Sequence, residues 1–381
     1  MVSTTEGAVW VEERGDAEAF LANLDAAAAS GARALMLLAC DGNELTPEQV
    51  DARLQSLTPP VFGGVFPGIV HGGRRLSRGS LIVGLDTPAC VREVTGLGEP
   101  DTDFVNRLDE IAGDLRGAAT MMVLVDGLAP RIASFLYGVY DHFGPEPACL
   151  GGGAGSLGLT RNPCIFSNRG LLEDCAQLVS LPLPAVVGVE HGWRIYAGPF
   201  LVTEARDNVI RSLDFRPALE VYREVVEAYS GESIGEDNFF DVAKGFPFGL
   251  EKPDGEVVVR DPVCCNGTDL VCVGEVPENF MVHLLKGSPR GLIGAAGDAA
   301  RKVGRTLSER RAHGPVLLFD CVSRVLFLGE RFDEEIATVG PELPEDLPLV
   351  GALTLGEIAD DRGGCLEFFN KTLVLASLME P

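Results

Sequence analysis

The chain has 381 residues, of which 46% are hydrophobic and 23% are charged. This composition is that of a globular protein with a full hydrophobic core and room for two or three domains. A net charge of -25 makes a surface that repels phosphate backbones and anionic lipid, so nucleic acids and membranes are unfavourable partners.

The N-terminal residues, the longest apolar run and the cysteines all bear on where the protein is located. Residues 1–20 carry acidic side chains where a signal peptide would have a basic end and an apolar run. The longest apolar run, residues 178–189, contains two prolines and is too short to cross a bilayer. The ten cysteines form no Cys-x-x-Cys pair, which is typical of reduced, buried thiols. We therefore expect a cytoplasmic protein.

Strands and helices alternate in the first 150 residues. The strands predicted from their apolar patterns are 7–14, 32–40, 60–70, 80–86, 90–97 and 118–128. The helices predicted from their 3.6-residue spacing are 16–30, 46–57, 101–115 and 131–143. Asp16 and the Thr46-Pro47 pair are typical residues for starting a helix.

The remaining chain is richer in β-structure. Residues 148–212 consist of short β-rich pieces separated by Gly, Asn and Pro, and Pro217 then opens a helix over 217–230. Further helices are predicted over 289–307, 322–328 and 333–339, and long strands over 349–358 and 366–378.

These elements predict a mixed α and β fold of the α+β class. It consists of two consecutive modules, residues 1–200 and 201–381, each with a mixed β-sheet and flanking helices. A layered α-β-β-α arrangement is the preferred form, and one doubly wound sheet is the alternative.

Two local motifs favour structural roles. The segment GAGSLG (153–158) matches G-x-G-x-x-G, but the residues after it have β character and a proline where a nucleotide site needs a helix. A close backbone approach is the favoured interpretation of these glycines. No two histidines are spaced as metal ligands, and a hydrogen-bonded turn is favoured for His191, in EHGWR, over a ligand contact.

The stretch GPVLLFDCVSRVLFLGER (314–331) places a thiol and a guanidinium close together. Cys321 lies where a buried strand ends and a helix begins, a position that favours thiolate. Arg324, among apolar residues, either extends outward to solvent or meets an anion, which is a carboxylate from Glu330, Glu334 or Glu357, or a ligand. No residue is nominated as a base for Cys321, so an enzyme is disfavoured.

Seven segments together resemble the FIST family, in an order that spans about residues 15–378. The segments are PVFGGVFPGI (60–69), ACLGGGAG (148–155), the stretch 191–225, EVVVRDP (256–262), FDCVSR (319–324), LGEI (355–358) and FFNKTL (368–373). The first turn, FGGVFPGIVHGG, departs from the Gly-Cys-Ser-Thr-like sequence that is common in the family.

The resemblance implies a sensory module of bacterial signal transduction that binds a small, amino-acid-like metabolite. It also implies a signalling partner, a histidine kinase of a two-component system or a cyclic-di-nucleotide enzyme. No cofactor is expected, with a haem-based nitric oxide sensor as the alternative; His191 or His71 would then be the axial ligand. A cysteine-dependent enzyme is the third alternative, and any other metal is unassigned.

The resemblance also implies a set of ligand-binding residues and no catalytic ones. They are Arg260, Cys321, Arg324, Glu357, Asn370, Thr372, Gly152, Gly153 and His191. Two guanidiniums can hold a carboxylate, Glu357 can take an ammonium, and Asn370 and Thr372 would share one face of a strand. This pattern suits a zwitterion, and it equally suits a buried salt-bridge network.

Overall fold

The structure is a computed structural model and describes residues 4–6, 8–252, 255–360 and 364–380. Its strands are β1 (Thr4–Glu6), β2 (Val9–Glu12), β3 (Ala34–Cys40), β4 (Val61–Phe66), β5 (Gly68–His71), β6 (Arg74–Leu76), β7 (Ser80–Leu85), β8 (Cys90–Thr95), β9 (Thr120–Asp126), β10 (Ala148–Ala154), β11 (Ile165–Ser167), β12 (Gly170–Leu172), β13 (Cys175–Leu181), β14 (Ala185–Glu190), β15 (Arg194–Arg206), β16 (Val209–Leu213), β17 (Arg216–Pro217), β18 (Phe248–Glu251), β19 (Val257–Asn266), β20 (Asp269–Val273), β21 (Met281–Lys286), β22 (Ala312–Cys321), β23 (Leu349–Thr354), β24 (Glu357–Asp360), β25 (Leu366–Phe369) and β26 (Leu373–Met379).

The helices agree closely with the sequence patterns. They are α1 (Ala17–Ala29), α2 (Pro47–Gln55), α3 (Phe104–Leu115), α4 (Ile132–Phe143), α5 (Ala218–Ser230), α6 (Phe239–Ala243), α7 (Pro289–Glu309), α8 (Val322–Leu328) and α9 (Phe332–Val339). Asp16 caps α1 by accepting from the Ala19 N–H, and Thr46 forms a capping box at α2. The short α6 has no counterpart among the predicted helices. None of the helices in the described ranges is long and apolar enough to cross a membrane.

Within the described residues, the strands form four sheets. The first has the order β1-β2-β7-β3-β4-β11-β12, the second β25-β24-β10-β9-β13-β8, and the third β14-β26-β22-β23-β5-β6. The fourth has the order β15-β21-β18-β19-β20-β16-β17, and β15 also pairs with β16. This extra pairing closes six strands into a barrel.

The mixed α and β class is confirmed, and alternate strand residues produce layers. In β3, Leu35 and Leu37 pack in one core cluster with α1 and α2, whereas Met36 and Leu38 face the main core. In β9, Met121 packs in the cluster of α3 and α4, whereas neighbouring residues share the main core. The first and second sheets are therefore two inner layers between helices. The third sheet is covered on its outer face by α7, α8 and α9.

Two sheets combine strands from both halves of the sequence. In the third sheet β5 pairs antiparallel with β23, and in the second sheet β10 pairs antiparallel with β24, where Gly152 lies opposite Glu357. The two halves consequently share hydrogen-bonded sheets as well as packed surfaces. The boundary at residue 200 stays a prediction.

Three predicted features differ from the structure. The strand expected over 349–358 breaks at Gly356, which has φ +98°, and the one over 366–378 breaks at Lys371, which has φ +51°. A left-handed residue cannot continue a strand, so each run becomes two strands that belong to different sheets. The strand expected over 60–70 is also divided, at Pro67, into β4 and β5, which belong to the first and third sheets.

Candidate functional site

A cavity of about 370 Å³ lies where β22 ends, between the two halves of the chain. Its apolar lining comes from both halves; Leu128, Leu157 and Leu159 are contributed by the first half, and Val273 and Leu326 by the second. The polar side chains of the lining are Asp261, Cys321, Ser323 and Asn370. A mostly apolar hollow with a few convergent polar groups is the usual form of a small-molecule site.

Cys321 is placed at this cavity by a strand-to-helix transition. It is the last residue of β22 and the N-cap of α8, and only 4% of its surface is exposed. Burial, and next the neighbouring Glu357 carboxyl, raise the pKa of the Cys321 thiol well above its ordinary value. The thiol is therefore neutral near pH 7, contrary to the expectation that its position favours thiolate.

Glu357 is a buried acid beside that thiol. Its Oε1 accepts from Thr354 Oγ1 at 2.6 Å and its Oε2 from the Thr372 N–H at 3.2 Å. The neighbouring Cys321 thiol also favours the charged form of this carboxyl. Burial raises the pKa of Glu357 to about 8, although these hydrogen bonds and Arg324 act in the opposite direction. Glu357 is therefore a group that takes up or releases a proton near neutral pH.

Asp261 is the acid that lines the cavity, and it is not among the ligand-binding residues predicted from the sequence. Its Oδ2 accepts from Ser323 Oγ at 2.7 Å and lies 3.0 Å from Lys371 Nζ. Its Oδ1 is buried and has no hydrogen-bond partner among the described residues. Burial raises the pKa of Asp261, and Lys371 opposes that shift. A donor that reached Oδ1 would satisfy a buried acceptor, which is favourable.

Lys371, also missed from the sequence, holds this corner together. Its Nζ donates to the Lys244 carbonyl at 3.0 Å and lies 5.2 Å from the centre of the Trp193 ring. Its backbone carbonyl accepts from Trp193 Nε1 at 3.1 Å. Lys371 makes these contacts from the bend of residues 370–372, which lies between β25 and β26. In the sequence, the signal for Lys371 is its position between the predicted site residues Asn370 and Thr372, in a segment where apolar and polar residues do not alternate.

Arg324 has every guanidinium hydrogen occupied by protein. It donates to Glu335 twice, at 3.1 and 2.7 Å, and to the carbonyls of His191, Leu292 and Lys371. Arg324 and Glu335 are both fully buried. This arrangement is the buried salt bridge considered from the sequence, but its partner is Glu335, which was not among the candidates.

The same guanidinium lies between two acids. Arg324 Nε is 3.2 Å from Asp320 Oδ1, and both Asp320 oxygens are buried without a hydrogen-bond partner in the part of the chain described. Burial, and then the nearby Glu335, raise the pKa of Asp320 well above its ordinary value. Arg324 therefore balances the charge of Glu335, and burial disfavours a second negative charge on Asp320.

Arg260 points away from the Cys321 cavity. It donates to the Glu275 and Phe368 carbonyls and to Glu367 Oε1, and it lines a different cavity of about 340 Å³. Asp261, the next residue of β19, faces the Cys321 cavity because adjacent strand residues point to opposite faces. The structure therefore does not bring Arg260 and Arg324 onto one carboxylate.

Asn370 and Thr372 lie in the bend between β25 and β26, so the prediction that they share one face of a strand is wrong. Asn370 lines the cavity, and its Oδ1 accepts from the Asp261 N–H at 3.2 Å. Thr372 uses its backbone N–H to hold Glu357. Both act on the acids of the site, through positions fixed by the left-handed Lys371.

Two models of known protein domains match most of the chain. The sequence model of the FIST N domain matches residues 34–216, and that of the FIST C domain matches residues 218–360. The chain belongs to the FIST family. FIST domains are sensory domains of signal transduction. Among curated proteins, no sequence matches the chain.

The glycines of the FIST N domain hold the two halves of this FIST protein together. A Cβ on Gly153 would lie 2.6 Å from the Leu355 carbonyl oxygen, and one on Gly152 would lie 2.7 Å from Thr354. The Gly153 N–H donates to the Gly356 carbonyl at 2.8 Å. These glycines permit the close backbone approach that the sequence favoured, directly behind Glu357.

The two histidines considered for haem in this FIST protein lie apart from the Cys321 cavity. His71 ends strand β5 and is buried. His191 forms the predicted hydrogen-bonded turn, because its Nδ1 accepts from the Trp193 N–H at 2.9 Å.

His191 lines a separate cavity of about 480 Å³ whose charged side chains are Glu190, Arg194 and Glu256. Within the described ranges, no group of three His, Cys, Asp or Glu residues is arranged to hold a metal ion.

Proposed function

We propose that this FIST protein is a cytoplasmic sensor that binds a small, amino-acid-like metabolite in the Cys321 cavity and reports to a partner protein. The observation that carries the proposal is the unpartnered Oδ1 of Asp261 at a mostly apolar cavity. An ammonium group would satisfy this oxygen, and an apolar side chain would contact the leucines.

The position of the cavity explains how binding would be transmitted. Leu157 and Leu159 belong to the loop after β10, and Ser323 and Leu326 belong to α8. A ligand that contacts both would bias the relative position of the halves, which the β10–β24 pairing joins. The partner that reads this change is a histidine kinase or a cyclic-di-nucleotide enzyme.

Native mass spectrometry of the purified protein tests the proposal. We expect a retained small molecule, or a thermal shift on addition of one member of a metabolite panel. The matched variant is Leu326→Trp, which fills the cavity from a residue that is 37% exposed, so the fold is preserved. Binding that is unchanged in Leu326→Trp would place the ligand elsewhere.

A visible absorption spectrum of the same sample tests the haem alternative. A Soret band that disappears in His191→Ala would replace the metabolite proposal with a haem-based sensor. A spectrum without this band leaves the metabolite sensor as the account of this cavity.

A cysteine-dependent enzyme is the second candidate, because the structure supplies the base that the sequence did not nominate. Glu357 neighbours the Cys321 thiol, and burial raises the pKa of Glu357 to about 8. A carboxylate in this position can take the thiol proton when a substrate is attacked. The raised pKa of Cys321 opposes this role at neutral pH. Rapid modification of Cys321 by iodoacetamide at pH 7, lost in Glu357→Gln, would favour the enzyme.

A further inference from the structure

A second cavity of about 210 Å³ adjoins the Cys321 cavity along the seam between the two halves. The two cavities share the lining residues Gly127, Leu128, Leu159, Val263 and Val273. We call the two together the seam groove. Because the walls are common to both, one ligand can extend from the Asp261 end into the second cavity.

The far part of the seam groove is apolar. The second cavity adds Ile132, Ala133, Val271 and Phe368 to the shared walls. Its polar lining residues are Asn208 and Glu275, and burial raises the pKa of the Glu275 carboxyl. A long apolar chain would therefore replace water along most of the groove, which is favourable in proportion to the area covered.

The charges at the Asp261 end are asymmetric. Lys371 is already held by Asp261 and the Lys244 carbonyl, and Arg324 is held by Glu335 and three carbonyls. Arg260, on the opposite face of β19, pairs with Glu367. Among the lining residues of the seam groove that the structure describes, no cationic side chain is left for a ligand carboxylate. Asp261 Oδ1, in contrast, still lacks a donor.

We propose that the seam groove takes an elongated aliphatic amine, with its ammonium at Asp261 and its chain along Leu128, Leu159 and Val273. This inference rests on the proposed function and narrows its ligand class. A free carboxylate next to the ammonium would have to be desolvated without a partner, so an amine is bound in preference to the corresponding amino acid. The apolar chain, and not a second charge, supplies the affinity.

Calorimetric titration of the wild-type protein with n-alkylamines from butylamine to decylamine tests this inference. We expect Kd to fall by about fourfold for each added methylene, and then to level off when the groove is filled. The n-alkanoates of equal length, and the N-acetylated amines, should bind at least about tenfold more weakly than the amines.

Variants locate the two ends of the ligand. Leu159→Asn removes an apolar wall shared by both cavities, and Asn accepts the φ of +54° at this position. Leu159→Asn should weaken the dependence of Kd on the length of the alkylamine. The control is Val105→Asn on α3, at a similarly exposed site away from the groove, which should leave this dependence unchanged. Asp261→Asn should remove the preference for amines over alkanoates. If this variant does not fold, the amine and alkanoate series in the wild-type protein still decides the question.

The possible failures are distinguishable. Amino acids that bind while alkylamines show no dependence on chain length would overturn the inference and leave the sensor proposal intact. Equal affinity for amines and alkanoates would also overturn it. An absence of binding by every probe, combined with no retained molecule in native mass spectrometry, would remove both proposals.

Discussion

Arg324 and Glu335 form a bidentate ion pair with no exposed surface on either side chain, at 3.1 and 2.7 Å. The pair joins α8 to α9, and its guanidinium also reaches the carbonyls of His191 and Lys371. One side chain therefore ties together the segments that surround the Cys321 cavity. Because both charges are buried, removal of one leaves the other without compensation.

We predict that Arg324→Met lowers the free energy of unfolding by about 3–5 kcal/mol, because Glu335 would remain buried and charged. Urea denaturation followed by circular dichroism measures the change. The control is Arg331→Met, seven residues further along the chain. It removes the surface ion pair between Arg331 and Glu334 and should change stability little. A folded Arg324→Met of wild-type stability that no longer binds ligand would instead make Arg324 a ligand-binding residue.

Glu357 makes stability depend on pH in a definite direction. Its pKa in the folded protein, about 8, lies above the ordinary 4.5, so the folded state keeps a proton that the unfolded state has lost. The stability of the wild-type protein therefore falls as pH rises between these two values. Glu357→Gln lacks this proton and therefore lacks this loss of stability. We expect its free energy of unfolding, relative to that of the wild type, to rise by roughly 1.4 kcal/mol per pH unit between about pH 5 and 8.

Urea denaturation at several pH values gives this difference. The matched control is Glu334→Gln, since the hydrogen bond from Arg331 lowers the pKa of Glu334 in the folded protein instead of raising it. Its difference from wild type should be flat over the same range. A flat difference for Glu357→Gln as well would show that Glu357 is ionised throughout in the folded protein.

Cysteine reactivity follows the burial of each thiol. Cys264 and Cys365 are exposed, whereas Cys321 is buried with a raised pKa. We predict that iodoacetamide at neutral pH modifies the two exposed cysteines at least about tenfold faster than Cys321, because the thiolate is the reactive form. Peptide mapping by mass spectrometry measures the rates. Modification of Cys321 before Cys365 would contradict the neutral thiol and would support the enzyme alternative.

The close approach at Gly153 gives a prediction about two glycines. Gly153→Ala should lower the free energy of unfolding by about 1–3 kcal/mol, because its Cβ would lie 2.6 Å from the Leu355 carbonyl oxygen. Gly294→Ala, in α7 with open space around the new Cβ, should raise it by about 0.5–1 kcal/mol. Thermal and urea denaturation of both variants check the opposite signs. Destabilisation by both substitutions would show that the result for Gly153 is not specific to the contact between the halves.

The sequence predicted those parts of the fold that depend on local patterns. Apolar spacing and caps such as Asp16 and Thr46 located most helices, and the segments shared with the FIST family predicted the family, which the domain matches confirm. The pairing of β5 with β23 and of β10 with β24 could not be predicted, because these partners are about 200 or more residues apart in sequence. No local preference identifies such partners.

The candidate site shows the same limit. Cys321, Glu357 and Asn370 were selected from the family signature and lie together in the structure. Asp261 and Lys371 are not among the predicted site residues. Lys371 lies in a segment predicted as one continuous strand, which its left-handed backbone ends. Arg260 was grouped with this site although it faces the other side of β19. The direction of a side chain depends on where each strand ends, which apolar spacing does not fix.

Native mass spectrometry of the wild-type protein and of Leu326→Trp, each titrated with the same alkylamine and amino acid probes, tests the ligand cavity most directly. We predict a one-to-one complex with the wild-type protein and its loss in Leu326→Trp, while both proteins unfold at similar urea concentrations. Complexes of equal abundance in the two proteins, or none in either, would contradict the assignment of a ligand site to the Cys321 cavity.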